Sequence, residues 1–184
     1  MKSVQALVFG TLLSALLAAP AFAQEKKPKG SAKTSSSSGK SSAGKQSQWL
    51  EKSDPKGFTL KAPADVTEKR DEWSTTFSAT LPPDAALLKA TVTVETLDEF
   101  TPVTNLDKAV EAVLAARPRG MKATVSEQKE LPNGYLVIIG PEYDTYAVDV
   151  IRNGKEVQVK AHCTGPGTRL EEIKELCLSV KPTK

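Results

Sequence analysis

From Phe58 onward, apolar and polar positions alternate with a period of two in one short run after another, the pattern of strands that bury a single face. Phe58 and Leu60 alternate with Thr59 and Lys61 ahead of Pro63, which predicts a short strand ended by proline. Trp73–Leu81 is rich in Thr, Ser and aromatic residues and stops at Pro82 and Pro83, giving a second strand. In Ala90–Leu97, Thr91, Thr93 and Glu95 stand opposite Val92, Val94 and Thr96. Three strands in succession, joined by polar turns, predict an antiparallel start.

The period then becomes helical. Thr104 precedes a stretch in which Leu106, Ala109, Val110, Val113 and Leu114 share one face, with Asp107 placed to complement the helix dipole and Pro118 and Gly120 ending the element. Strands follow at Ala123–Lys129, Tyr135–Gly140, Thr145–Arg152 and Lys155–Cys163. The last two are joined through Asn153-Gly154, a hairpin signal because both turn positions require positive φ. Thr168 and Glu171 form a Thr-x-x-Glu capping box that opens a final helix with Leu170, Ile173, Leu176 and Cys177 on its apolar face. Strands that outnumber helices without alternating with them predict an α+β fold, a largely antiparallel sheet covered by helices.

Cys163 has the strand parity of Val157, Val159 and Ala161, and Cys177 lies on the apolar side of the next helix. Two inward-pointing thiols on consecutive packed elements predict a structural disulfide. Their spacing is not that of a Cys-x-x-Cys redox pair. His162, the single histidine, falls by the same alternation on the polar face with Gln158 and Lys160. It points away from Cys163, which excludes the adjacent pair as nucleophile and base, and one histidine cannot supply a typical His-based zinc site.

Composition divides the chain. Residues 1–23 have the order of a secretory signal, with Lys2, an apolar stretch from Ala6 to Ala19, and Ala21 and Ala23 flanking Phe22, which predicts cleavage after Ala23. That stretch is shorter than the ~20 residues a membrane span needs, and Gln24 stands where a lipoprotein would have cysteine. Residues 24–48 carry six Lys against one Glu and no apolar residue larger than Ala, a composition that predicts a disordered basic linker. Residues 49–184, the size of one domain, carry 18 Lys and Arg against 21 Asp and Glu. The basic charge thus belongs to the linker, where no aromatic residue accompanies it, and nucleic-acid binding is not expected. A weak electrostatic contact of this tail with anionic lipid or wall polymer is the sharper alternative to a solvated spacer. Export to the periplasm or beyond supplies the oxidising surroundings in which a disulfide persists.

Other patterns carry little chemistry. Gly39, Gly44 and Lys45 imitate part of a phosphate-binding loop, but Gln46 stands where Ser or Thr should hold magnesium. Glu142, Tyr143, Asp144 and Tyr146 place two carboxylates and two phenols in one connection, a candidate calcium or sugar contact that turn composition explains equally well. Asp98, Glu99 and Phe100 read as a solvated loop or an acidic rim. No catalytic, cofactor or metal residue is assigned.

The element order, the opening Gly57-Phe58-Thr59-Leu60-Lys61-Ala62-Pro63, the Tyr146–Cys163 hairpin and the closing helix before Ser179-Val180 resemble the PsbP-like superfamily over about residues 49–182. That superfamily includes the extrinsic protein of the oxygen-evolving complex and a Ran-binding import factor. The resemblance implies an α/β/α sandwich around an antiparallel sheet, used as a non-catalytic binding or assembly module, and carries over no catalytic residue. The expectation is an exported, non-enzymatic module without a cofactor, whose partner is an envelope or secreted protein. The alternative is a small metal-dependent hydrolase with a site built from dispersed carboxylates.

Overall fold

Period-two burial governs most of the regular structure in the computed structural model, which describes residues 48–98, 100–118 and 123–184. The signal-like segment, the basic linker up to residue 47 with its phosphate-loop mimic, together with Glu99 and Gly120, lie outside the described residues. Five strands come first: β1 (Trp49–Asp54), β2 (Phe58–Pro63), β3 (Thr67–Arg70), β4 (Ser74–Leu81) and β5 (Ala86–Thr96). Then come α1 (Leu106–Ala115), β6 (Val125–Leu131), β7 (Gly134–Glu142), β8 (Thr145–Asn153) and β9 (Val157–Pro166). A 3-10 turn at Gly167–Arg169, α2 (Leu170–Leu178) and β10 (Lys181–Pro182) complete the order.

The strands form two antiparallel sheets, a seven-stranded one ordered β3-β4-β5-β9-β8-β7-β6 and a three-stranded one ordered β1-β2-β10. This overturns the expected α+β class and its α/β/α sandwich. The fold is mostly β, with two short helices among the described residues. The reason lies in what covers the large sheet. On one face β2 does much of the covering, and Phe58, Leu60 and Ala62 join Ile173, Leu176 and Cys177 of α2 in a single core with Phe77, Leu88, Val92, Val148 and Val159. Phe58 meets Phe77 edge to face, with ring centroids 6.2 Å apart. The strand at Phe58 therefore does not start the main sheet; it belongs to the smaller one.

On the other face, α1 covers only part of the sheet. Ala109 and Val113 pack with Val103 on Val137, Ile139 and Ile151, a second core of modest size. The cap of α1 is Asn105 and not Thr104, its side chain accepting the Lys108 N–H at 2.8 Å, while Asp107 occupies the first turn as expected. The predicted capping box also fails to form. Thr168 falls inside the 3-10 turn, Arg169 takes the cap position, and no side chain bonds there.

The turn chemistry differs from expectation as well. Neither Asn153 nor Gly154 has positive φ; the two consecutive residues that do are Tyr143 (φ 46°) and Asp144 (φ 64°), which join β7 to β8. Asn153 pairs with Gln158, so the β8–β9 connection is longer than a two-residue turn. Gly154 is required by close approach instead, since a Cβ there would lie 2.3 Å from the Lys184 backbone oxygen.

Candidate functional site

Antiparallel register aligns polar side chains in rows across the face that α1 leaves open. Thr76 pairs with Thr91, Thr91 with His162, and His162 with Asp149, so one row crosses β4, β5, β9 and β8. The next row sets Ser74 against Thr93 and Thr93 against Lys160. Beside these rows, between the sheet and the C-terminal half of α1, lies a cleft of about 500 Å³. Its floor includes Thr91, Thr93, Lys160 and His162, and Ala112 and Ala116 form its wall. A cleft of that size can enclose a small ligand or a partner's side chains.

Four bonds organise the cleft. The His162 ring Nδ1 lies 2.7 Å from Asp149 Oδ1, and Arg117 Nη2 donates to Asp149 Oδ2 at 3.2 Å. With both oxygens of Asp149 accepting, Nδ1 carries the proton of its bond and Nε2 is the nitrogen left over. Arg117 follows the end of α1, so the same carboxylate ties the helix to the sheet. Lys160 Nζ pairs with Glu95 at 2.7 Å, and the Thr76 and Thr91 hydroxyls bond at 3.2 Å. Each charge in the cleft is thus matched by another charge in it.

His162, Lys160 and Gln158 share a face, as their alternation requires, but their surroundings differ. His162 is half-exposed, whereas Gln158 is fully buried, held against Val103 and donating to Asn153 Oδ1. The expectation of a uniformly polar face is corrected here, because the segment before α1 closes over one end of it. Asp149, Arg117 and Glu95 line this cleft, and the sequence did not mark them as candidates. A signal for Asp149 existed: once Asn153 opposes Gln158, antiparallel counting places Asp149 opposite His162.

The sequence-predicted contacts Glu142, Tyr143, Asp144 and Tyr146 surround the β7–β8 turn. Tyr143 is 96 % exposed at its tip, the Asp144 carbonyl accepts the Gly167 N–H at 2.7 Å, and Tyr146 packs on the main core. The Tyr143 side chain stands in solvent, while Asp144 Oδ1 and the Tyr146 ring both flank Gly167. Asp98 and Phe100 are exposed, as a solvated loop requires. Among the described residues no three His, Cys, Asp or Glu side chains gather as a metal site.

Cys163 and Cys177 are both fully buried and stand at disulfide distance, their Cα atoms 5.8 Å apart. Such a pair is compatible with an oxidising, extracytoplasmic compartment. Among the described residues no helix is long and apolar enough to cross a membrane. Compared with known proteins, the chain matches no family model and no curated protein.

Proposed function

We propose that this protein is an exported, non-catalytic binding module of the cell envelope, and that the cleft beside α1 receives an envelope or secreted partner protein. The observation that carries this reading is the internal pairing of the cleft's charges, Asp149 with Arg117 and Glu95 with Lys160, with His162 hydrogen-bonded to the same Asp149. A free ion entering the cleft would have to compete with a pair already made. An uncharged side chain would not. It would meet an apolar wall at Ala112 and Ala116 and hydrogen-bonding groups at Thr93 and His162 Nε2. Residues 1–23 act as the export signal, cleaved after Ala23, and residues 24–48 as a spacer between that end and the domain.

A pull-down from envelope extract tests this with three proteins: the chain from Gln24, the same chain carrying Thr91→Tyr, and a chain lacking residues 24–48. Tyrosine at position 91 fills the floor of the cleft. The expected result is a component retained by the first and third proteins and lost from the second. Retention that depends on the basic segment and ignores Thr91→Tyr would refute the assignment.

A further inference from the structure

A second feature lies at the end of the large sheet, where the β6–β7 and β8–β9 connections meet β10. Two adjoining clefts there, of about 790 and 420 Å³, share Asn133, Asn153 and Pro182. Arg152, Lys155, Lys181 and Lys184 line them, with Glu156 the one carboxylate side chain in either lining. Among the described residues none of these four cations has a carboxylate within 4.0 Å, in contrast to Arg117 and Lys160 in the first cleft.

Arg152 distinguishes this end from an ordinary lysine-bearing surface. Its guanidinium is partly buried and held by two carbonyls, Nη1 donating to Pro132 O at 2.9 Å and Nη2 to Leu178 O at 3.3 Å. The buried Nε has no partner. Carbonyl oxygens fix the orientation of a guanidinium but bring no formal negative charge, and burial accordingly lowers the Arg152 pKa from its ordinary value. A cation desolvated without a counter-ion is costly unless a ligand supplies one. The amide side chain of Asn133, exposed in the shared lining, adds an uncharged donor, whereas the Asn153 amide is engaged with Val103 O and Gln158.

We propose that these clefts form an anion site for a phosphate-bearing ligand, with Arg152 at its base and Lys155, Lys181 and Lys184 around its rim. Phosphate fits better than a single carboxylate because four cations spread over two joined clefts match several anionic oxygens. The site is separate from the cleft beside α1, shares no lining residue with it, and does not depend on what that cleft binds.

The test uses the ¹⁵N-labelled chain from Gln24, so that the basic linker is constant in every arm. One arm titrates inorganic pyrophosphate; the other titrates vesicles of phosphatidylglycerol and phosphatidylcholine against vesicles of phosphatidylcholine alone. The expected result is amide shifts or broadening centred on Asn133, Asn153, Gly154 and Lys155. Lys155→Gln combined with Lys181→Gln, both at exposed positions, should weaken binding by at least about tenfold at low salt. Lys69→Gln combined with Lys129→Gln, at exposed positions on the two edge strands, should leave it unchanged. Response to pyrophosphate supports a soluble phosphate ligand, and response to the anionic vesicles alone supports a lipid headgroup. No response in either arm, or equal weakening by both variant pairs, would overturn the proposal. Arg152→Lys gives a further readout, since it keeps the charge while losing the fork held by Pro132 and Leu178.

Discussion

Reduction of the Cys163–Cys177 pair should cost this domain a large part of its stability. The two residues are 14 apart in sequence and join the end of β9 to α2, closing a loop that holds the 3-10 turn and most of the final helix. For a loop of this length the chain-entropy model gives about 3 kcal/mol, against the roughly 5–15 kcal/mol of net stability usual for a domain. Both residues are fully buried among Val148, Ala161, Ile173 and Leu176, so a reductant reaches the bond only when the helix opens. The assay is therefore urea unfolding after reduction in denaturant and refolding with reductant present, compared with the oxidised protein. Cys163→Ala with Cys177→Ala serves as a second form lacking the bond. A loss of about 3 kcal/mol in the reduced wild type, or roughly 10 °C in Tm, is expected, with a somewhat larger loss in the double variant because two buried sulfurs leave space behind. Coincident unfolding curves for oxidised and reduced protein would refute the reasoning, as would two reactive thiols in unreduced, denatured protein.

Other outcomes follow from single residues. Asp149→Ala removes the acceptor shared by His162 and Arg117 and should cost about 2–3 kcal/mol in urea unfolding, with Asp149→Asn recovering part of it. Gly134→Ala places a methyl group 2.0 Å from the Ile151 carbonyl oxygen at the start of β7; because the obstacle is backbone, a loss of about 3 kcal/mol or more is expected in thermal unfolding. Asp71 accepts the Ser74 backbone N–H, which, with the Ser74 hydroxyl and the Trp73 N–H, holds its carboxyl below the usual aspartate range. A carboxyl lowered in the folded state contributes stability above the unfolded value of about 3.9 and loses it as the pH falls through the folded one. Unfolding free energies measured from pH 6 down to pH 2 should therefore converge for wild type and Asp71→Asn at the acid end and separate toward neutrality.

Alternation made β2, β4, β5 and β9 legible, because one face of each is the more deeply buried, whereas β7 and β8 read as apolar runs because the main core and α1 bury residues on both of their faces. The strand β3 was not legible: Thr67, Glu68, Lys69 and Arg70 are all exposed, and an edge strand with no buried face leaves no apolar pattern. The fold class failed for a related reason. Period shows that Phe58 and Leu60 lie in a strand but not which sheet that strand joins, so the layer built by β2 was assigned to helices. At the β8–β9 connection, Asn-Gly composition suggested a turn conformation, while the glycine answers to the neighbouring Lys184 backbone, a contact 30 residues distant in sequence. The cysteine pair was legible because parity and helical face both turned the thiols inward. The cleft was half legible. Parity placed His162 on the correct face, but Arg117 enters only through the packing of α1 on the sheet, and Gln158 is buried by a segment whose course no local pattern records.

The most direct test of the binding assignment places a photo-crosslinking residue at Ala116, exposed on the wall of the cleft, and a control at Tyr143, exposed on the distant turn, in cells expressing the full chain. One discrete adduct is expected from position 116, removed by Thr91→Tyr in the same chain, with no matching adduct from position 143. An adduct from position 116 that persists when Thr91→Tyr fills the cleft, or the same adduct from both positions, would contradict the assignment.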